Sequence, residues 1–71
     1  MLPRLPGSER VKIRKNAYVP INPVYVVVNA LEEGDTVLQV FSRLIEAYEF
    51  ALQEAQYNEV DEYAILTKEL N

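Results

Sequence analysis

The chain has 71 residues, no cysteine, no histidine and a net charge of −4 at pH 7. That size holds one domain, and that composition excludes a disulfide framework, a cysteine–histidine zinc site and the imidazole or thiol chemistry on which many enzymes rely. Charge is segregated: residues 1–30 carry five cations against one carboxylate, a net +4, and residues 31–71 carry two cations against ten carboxylates, a net −8, which points to two surfaces with different partners.

Residues 1–9, with Pro3, Pro6 and Gly7, read as an extended arm, and residues 10–71 as a single small domain. Arg10-Val11-Lys12-Ile13-Arg14 alternates strictly. It predicts a strand with Val11 and Ile13 inward and three cations outward. Lys15 to Pro23 is a connector, because Pro20 and Pro23 cannot donate to a ladder and Asn16 and Asn22 favour turns. Val24-Tyr25-Val26-Val27-Val28 predicts a strand from its β-branched content. The same residues also suit a helix, with Asn22 as cap, Pro23 in the first turn, and Val24, Val27, Val28 and Leu31 along one face.

Gly34 ends that element, and Asp35 or Thr36 offers a cap to a long amphipathic helix over Asp35–Gln56. Val37, Val40, Phe41, Leu44, Ile45, Tyr48, Ala51, Leu52 and Ala55 fall on one wide stripe at helical spacing, with Glu46, Glu49 and Gln53 opposite. Phe50 projects away from the stripe. Either another segment folds over it or it anchors a partner. Asn58 is placed to cap a short final helix carrying Val60, Tyr63, Ala64 and Thr67 on one face, although Tyr63, Ile65 and Thr67 equally suit one face of a strand. The fold class expected is α+β: a small β element, made of the basic strand and the Val24–Val28 strand, packed on one long helix, with a short C-terminal helix.

Burial of apolar surface in a chain of this mass contributes on the order of 110 kcal/mol, and ordering its residues costs about as much. A lone monomer is therefore marginal, and a homodimer or a subunit of a larger complex is expected. The proline-bearing N-terminus does not read as a signal peptide. The longest apolar run, Val24 to Val28, is far too short to span a bilayer, so a cytoplasmic protein with no membrane association is expected. Were the chain phage-encoded, that means the host cytoplasm or the virion.

The residue inventory argues against catalysis. Ser8, Thr36, Ser42 and Thr67 have no evident base near them in sequence, and Glu46 and Glu49 fall on an exposed face. Gly7 and Gly34 are isolated, so no phosphate-binding loop exists, and no calcium-loop spacing is present. No cofactor, metal or small-molecule substrate is expected. The function expected is non-enzymatic protein binding as an inhibitor, regulator or assembly subunit. Glu46, Glu49, Phe50, Tyr57 and Tyr63 supply one contact surface, and the basic segment docks an acidic surface. The alternative gives Arg10, Lys12, Arg14 and Lys15 to DNA, since a two-stranded ribbon fits the major groove.

A basic strand over Val11–Arg14, a helix over Val24–Glu33, a Gly34-Asp35-Thr36 link and a helix over Val37–Tyr48 resemble the ribbon–helix–helix repressors and antitoxins. That resemblance covers about half the chain and implies an intertwined dimer with paired strands in the major groove, and in the antitoxins an acidic C-terminal segment that binds a toxin. The Lys15–Asn22 connector is longer than the family's tight link. The acidic Asp35–Asn71 stretch, ending Leu66-Thr67-Lys68-Glu69-Leu70-Asn71, is more faintly similar to small phage-encoded anti-CRISPR inhibitors, which present carboxylates in place of DNA phosphates.

Overall fold

A short 3-10 turn at Ser8–Arg10 leads into β1 (Val11–Ile13), β2 (Pro23–Leu31), β3 (Gly34–Phe41), helix α1 (Leu44–Tyr57) and β4 (Tyr63–Glu69) in the computed structural model. It describes residues 6–31 and 34–70, apart from the side chains of Leu31 and Asp35. The architecture is α+β, a four-stranded mixed sheet of order β1-β4-β2-β3 packed against one helix. β2 and β3 form an antiparallel hairpin, and Gly34 enters β3 at φ 135°, a left-handed conformation that side-chain-bearing residues avoid. After α1 the chain returns as β4, which inserts between β1, its parallel partner, and β2, its antiparallel one.

The core forms where α1 meets the sheet. Ala47, Ala51 and Ala55 are wholly buried at successive turns, and their small side chains let the helix backbone approach the strands closely. Tyr48 and Leu52 flank them. Val11, Val27, Tyr63 and Ile65 meet them from β1, β2 and β4, with Tyr25, Leu38, Phe41, Leu44 and Phe50 around the margin.

α1 has no basic residue in its last turn to meet the negative end of its dipole. Arg10 supplies that charge from outside the helix. Its Nη1 donates to the carbonyl oxygens of Asn58 (2.7 Å) and Asp61 (3.0 Å), and its Nη2 to that of Ala55 (2.7 Å). Asn58 closes the helix by donating its backbone N–H to the Glu54 carbonyl (2.8 Å) and its Nδ2 to the Tyr63 hydroxyl (3.1 Å). Gly7, at φ 90°, turns the chain so that the 3-10 turn lies against this end of α1. Gln56 Nε2 donates to the Pro6 carbonyl (3.0 Å).

Three sequence expectations give way to the structure. The single helix over Asp35–Gln56 is two elements: strand up to Phe41, then helix from Leu44. A β-bulge explains the helix-like spacing. Val27 and Val28 of β2 face Gln39 and Val37, so Leu38 is the extra residue. It places Leu38 and Phe41 both toward α1 and Val37 and Val40 both away, a three-residue spacing that an unbulged strand forbids. The short C-terminal helix is β4, since residues from Tyr63 find ladder partners on both sides, and Asn58 closes α1 rather than opening another helix. The extended arm over 1–9 includes the Gly7 turn and part of the 3-10 helix, while residues 1–5 lie outside the described residues. The Val24–Val28 segment is strand, as its β-branched residues predict, and it extends from Pro23 to Leu31. With strand at β2 and β3 and with β1 paired inside its own chain, the ribbon–helix–helix arrangement is not this fold.

Candidate partner-binding groove

α1 covers only part of its face of the sheet. Beyond it, Ile13 of β1, Thr67 of β4 and Tyr25 and Pro23 of β2 form the floor of an open groove of about 440 Å³. Its wall is the β1–β2 connector, contributed by Arg14, Lys15, Asn16, Tyr18, Val19 and Pro20.

The connector is long, yet it is tied down at both ends. The Arg14 N–H donates to the Ile65 carbonyl (3.0 Å), which carries the β1–β4 ladder one residue past the strand. Asn16 Nδ2 donates to the Thr67 carbonyl (2.7 Å). At the far end the Glu69 carboxylate accepts the N–H groups of Ile21 (3.0 Å) and Asn22 (2.8 Å), and the Leu70 N–H donates to the Asn22 carbonyl (2.8 Å). Bonds to a charged acceptor are the stronger kind, and two backbone donors on one carboxylate hold the turn in register with β4. Between these anchors Ala17 to Pro20 arches over the floor. Val19 is 92% exposed and Tyr18 57%, and Ile21 beside them is 88% exposed. Three large apolar or aromatic side chains are thus held out in water on one anchored loop.

The cations named from sequence separate into different places. Lys15 stands at the groove rim, whereas Arg14 borders the groove with its backbone on a continued ladder and by alternation shares the side of Lys12. Lys12 points the other way, to the sheet face opposite α1, because it alternates with Val11 and pairs in register with Ala64. Arg10 is not on the strand at all, and its guanidinium is used up on the carbonyls at the end of α1. The four cations therefore do not form one outward row.

The acidic surface also disperses. Glu46 and Glu49 are exposed on α1, and Tyr57 is exposed at its end. Phe50 is half-buried, its ring centroid 5.4 Å from that of Phe41 at a tilt of 49°, so β3 covers it. Tyr63 is 1% exposed and belongs to the core, which corrects its assignment to a contact surface. Sequence reasoning missed Tyr18, Tyr25 and the anchors Asn16 and Glu69. The apolar residues Val19 and Ile21, on either side of Pro20, were the available signal for this loop.

Among the described residues no cluster of three or more potential ligand side chains could hold a metal ion, and no helix is long and apolar enough to cross a membrane. Comparison of the chain with family models, with curated proteins and with solved structures gives no match. The reading of function therefore rests on the chain's own geometry.

Proposed function

We propose that this chain is a non-enzymatic protein-binding module whose groove takes an extended peptide segment of a partner, with apolar side chains next to Asp or Glu. The observation that carries the reading is the anchored connector, which holds Tyr18 and Val19 out beside an apolar floor with Lys15 at its rim. Aromatic and aliphatic walls suit apolar side chains, and the rim cation Lys15 suits a carboxylate. The groove is open rather than enclosed, so it does not surround a small ligand as substrate pockets do. No carboxylate lines it, and the chain has no histidine or cysteine to act as base or nucleophile.

Charge count favours protein over DNA as partner. Non-specific DNA affinity comes from several phosphate contacts, and no more than two cationic residues border this groove on a chain of net charge −4.

Selection from a random 12-residue peptide display library on the immobilised chain tests the reading. Enriched sequences are expected to join Asp or Glu to Leu, Ile, Phe or Pro. Their binding is expected to fall at least about tenfold in a Tyr18→Ala, Lys15→Glu variant, a loss of about 1.4 kcal/mol. Peptides without acidic residues, or binding that ignores these changes, would refute it. So would tighter binding to a 20-mer DNA duplex, with a steep salt dependence.

A further inference from the structure

Both faces of the sheet are apolar, and α1 covers only one. Register and alternation turn Val24, Val26 and Val28 of β2, Ala64 and Leu66 of β4, and Val37 and Val40 of β3 to the other face. Val28 and Ala64 at its middle are buried, Val26 and Leu66 are half-buried, and Val37 and Val40 are 61% and 52% exposed. Central strands with one wet face alternate apolar and polar residues, whereas strands covered on both faces are apolar throughout. Val24–Val28 and Tyr63–Leu66 are apolar throughout, and among the described residues no helix or second sheet lies over this face.

We infer that a second copy of this chain covers it, the two sheets stacking face to face about a two-fold axis that crosses β4 near Ile65. The protein is a slab of 34 × 31 × 19 Å. Its broad side projects an area on the order of 800 Å², the share that one partner contributes to a standard stable interface. Charge sets the direction. Glu62, one residue before β4, and Lys68, near its end, are exposed, and both share the side of Ala64 and Leu66: Lys68 is opposite Val24, and the Glu62 carbonyl accepts the Ala30 N–H in continuation of the β2–β4 ladder. With the axis perpendicular to β4, the strands of the two copies run antiparallel and Glu62 of each copy lies over Lys68 of the other. With the axis along β4, glutamate would face glutamate and lysine would face lysine. Stacked sheets lie about 10 Å apart, a gap that a lysine and a glutamate side chain span together, and the usual crossing of about 30° displaces such ends by only about 5 Å. Lys12 shares this face on β1, the edge strand beside β4. The grooves, on the opposite faces, remain open in such a dimer and point outward in opposite directions.

Sedimentation equilibrium of the full chain and of Glu62→Lys, Lys68→Glu and the double exchange tests this inference. The chain is expected to be a dimer. Each single change turns two attractive pairs into two repulsive ones, and dimer dissociation constants are expected to rise about 30-fold. The double exchange restores opposite charges and is expected to return within about threefold of the parent. Far-ultraviolet circular dichroism, expected to be unchanged because both residues are exposed, separates loss of dimer from loss of fold. A monomeric parent, single changes without effect, or a double exchange as weak as the singles would each overturn the inference.

Discussion

Replacing Arg10 by alanine is expected to be among the most damaging single changes in this chain, although arginine at a strand edge usually signals surface. The guanidinium makes three charge-assisted bonds to main-chain carbonyls at the end of α1, two of them 2.7 Å long. Each such bond has a net worth of about 1.5–3 kcal/mol, but bonds from one side chain do not add fully. The side chain is 20% exposed, so water can replace part of what is lost. A loss of about 3 kcal/mol follows once the favourable cation at the helix end is included. For a domain of this size the entropy of unfolding is about 0.15 kcal/mol per kelvin, so the melting temperature should fall by roughly 20 °C. Arg10→Lys keeps the charge, but an ammonium group does not match the fork that reaches all three carbonyls, so it should recover less than about half of the loss. Glu9→Ala is the control. Its contact with Arg10 is 3.9 Å long and Glu9 is largely exposed, so the change should stay within about 0.5 kcal/mol. Thermal and urea melts followed by circular dichroism measure all three. A drop under about 5 °C for Arg10→Ala would refute the view that this residue closes the helix.

Gly7→Ala should destabilise by about 1–3 kcal/mol in the same melts, because a Cβ at φ 90° is strained and would lie 3.3 Å from Arg10 Nη2 and 3.4 Å from Ala55 Cβ. Phe50→Ala should lower stability by about 1–3 kcal/mol through lost packing on Phe41, and should leave peptide capture by the groove unchanged. Glu69→Ala should release the connector at Ile21 and Asn22, weakening groove binding about tenfold while costing about 1–2 kcal/mol of stability. Hydrogen exchange at the Ile21 and Asn22 amides, expected to quicken in that variant, reports the release directly.

The alternating basic segment is strand over Val11–Ile13, and the valine-rich run, which equally offered a helical face, is strand as well. The helix is present where Tyr48, Ala51, Leu52 and Ala55 keep helical spacing. Its apparent start was misplaced because the bulge at Leu38 imitates a helical repeat, and nothing local marks a bulge. β4 was ambiguous for a different reason. Tyr63 and Ile65 alternate as a strand requires, but a central strand is stabilised by two neighbours that lie far away in sequence. The groove was legible only in part. Arg14 and Lys15 were named, whereas the fate of Arg10 depends on a contact across 48 residues that no sequence spacing reveals. Tyr63 read as a surface residue for the same reason, since its burial follows from strand pairing and not from its own segment.

The anchored connector and the floor beneath it are expected to receive a partner. Amide chemical shifts of the isotope-labelled chain, titrated with a selected acidic, apolar peptide, test this most directly. The largest changes are expected at Ile13 to Asn16, Tyr18 and Val19, Tyr25 and Thr67, around one contiguous groove. Changes centred instead on the exposed face of α1 around Glu46 and Glu49, with the connector silent, would contradict it.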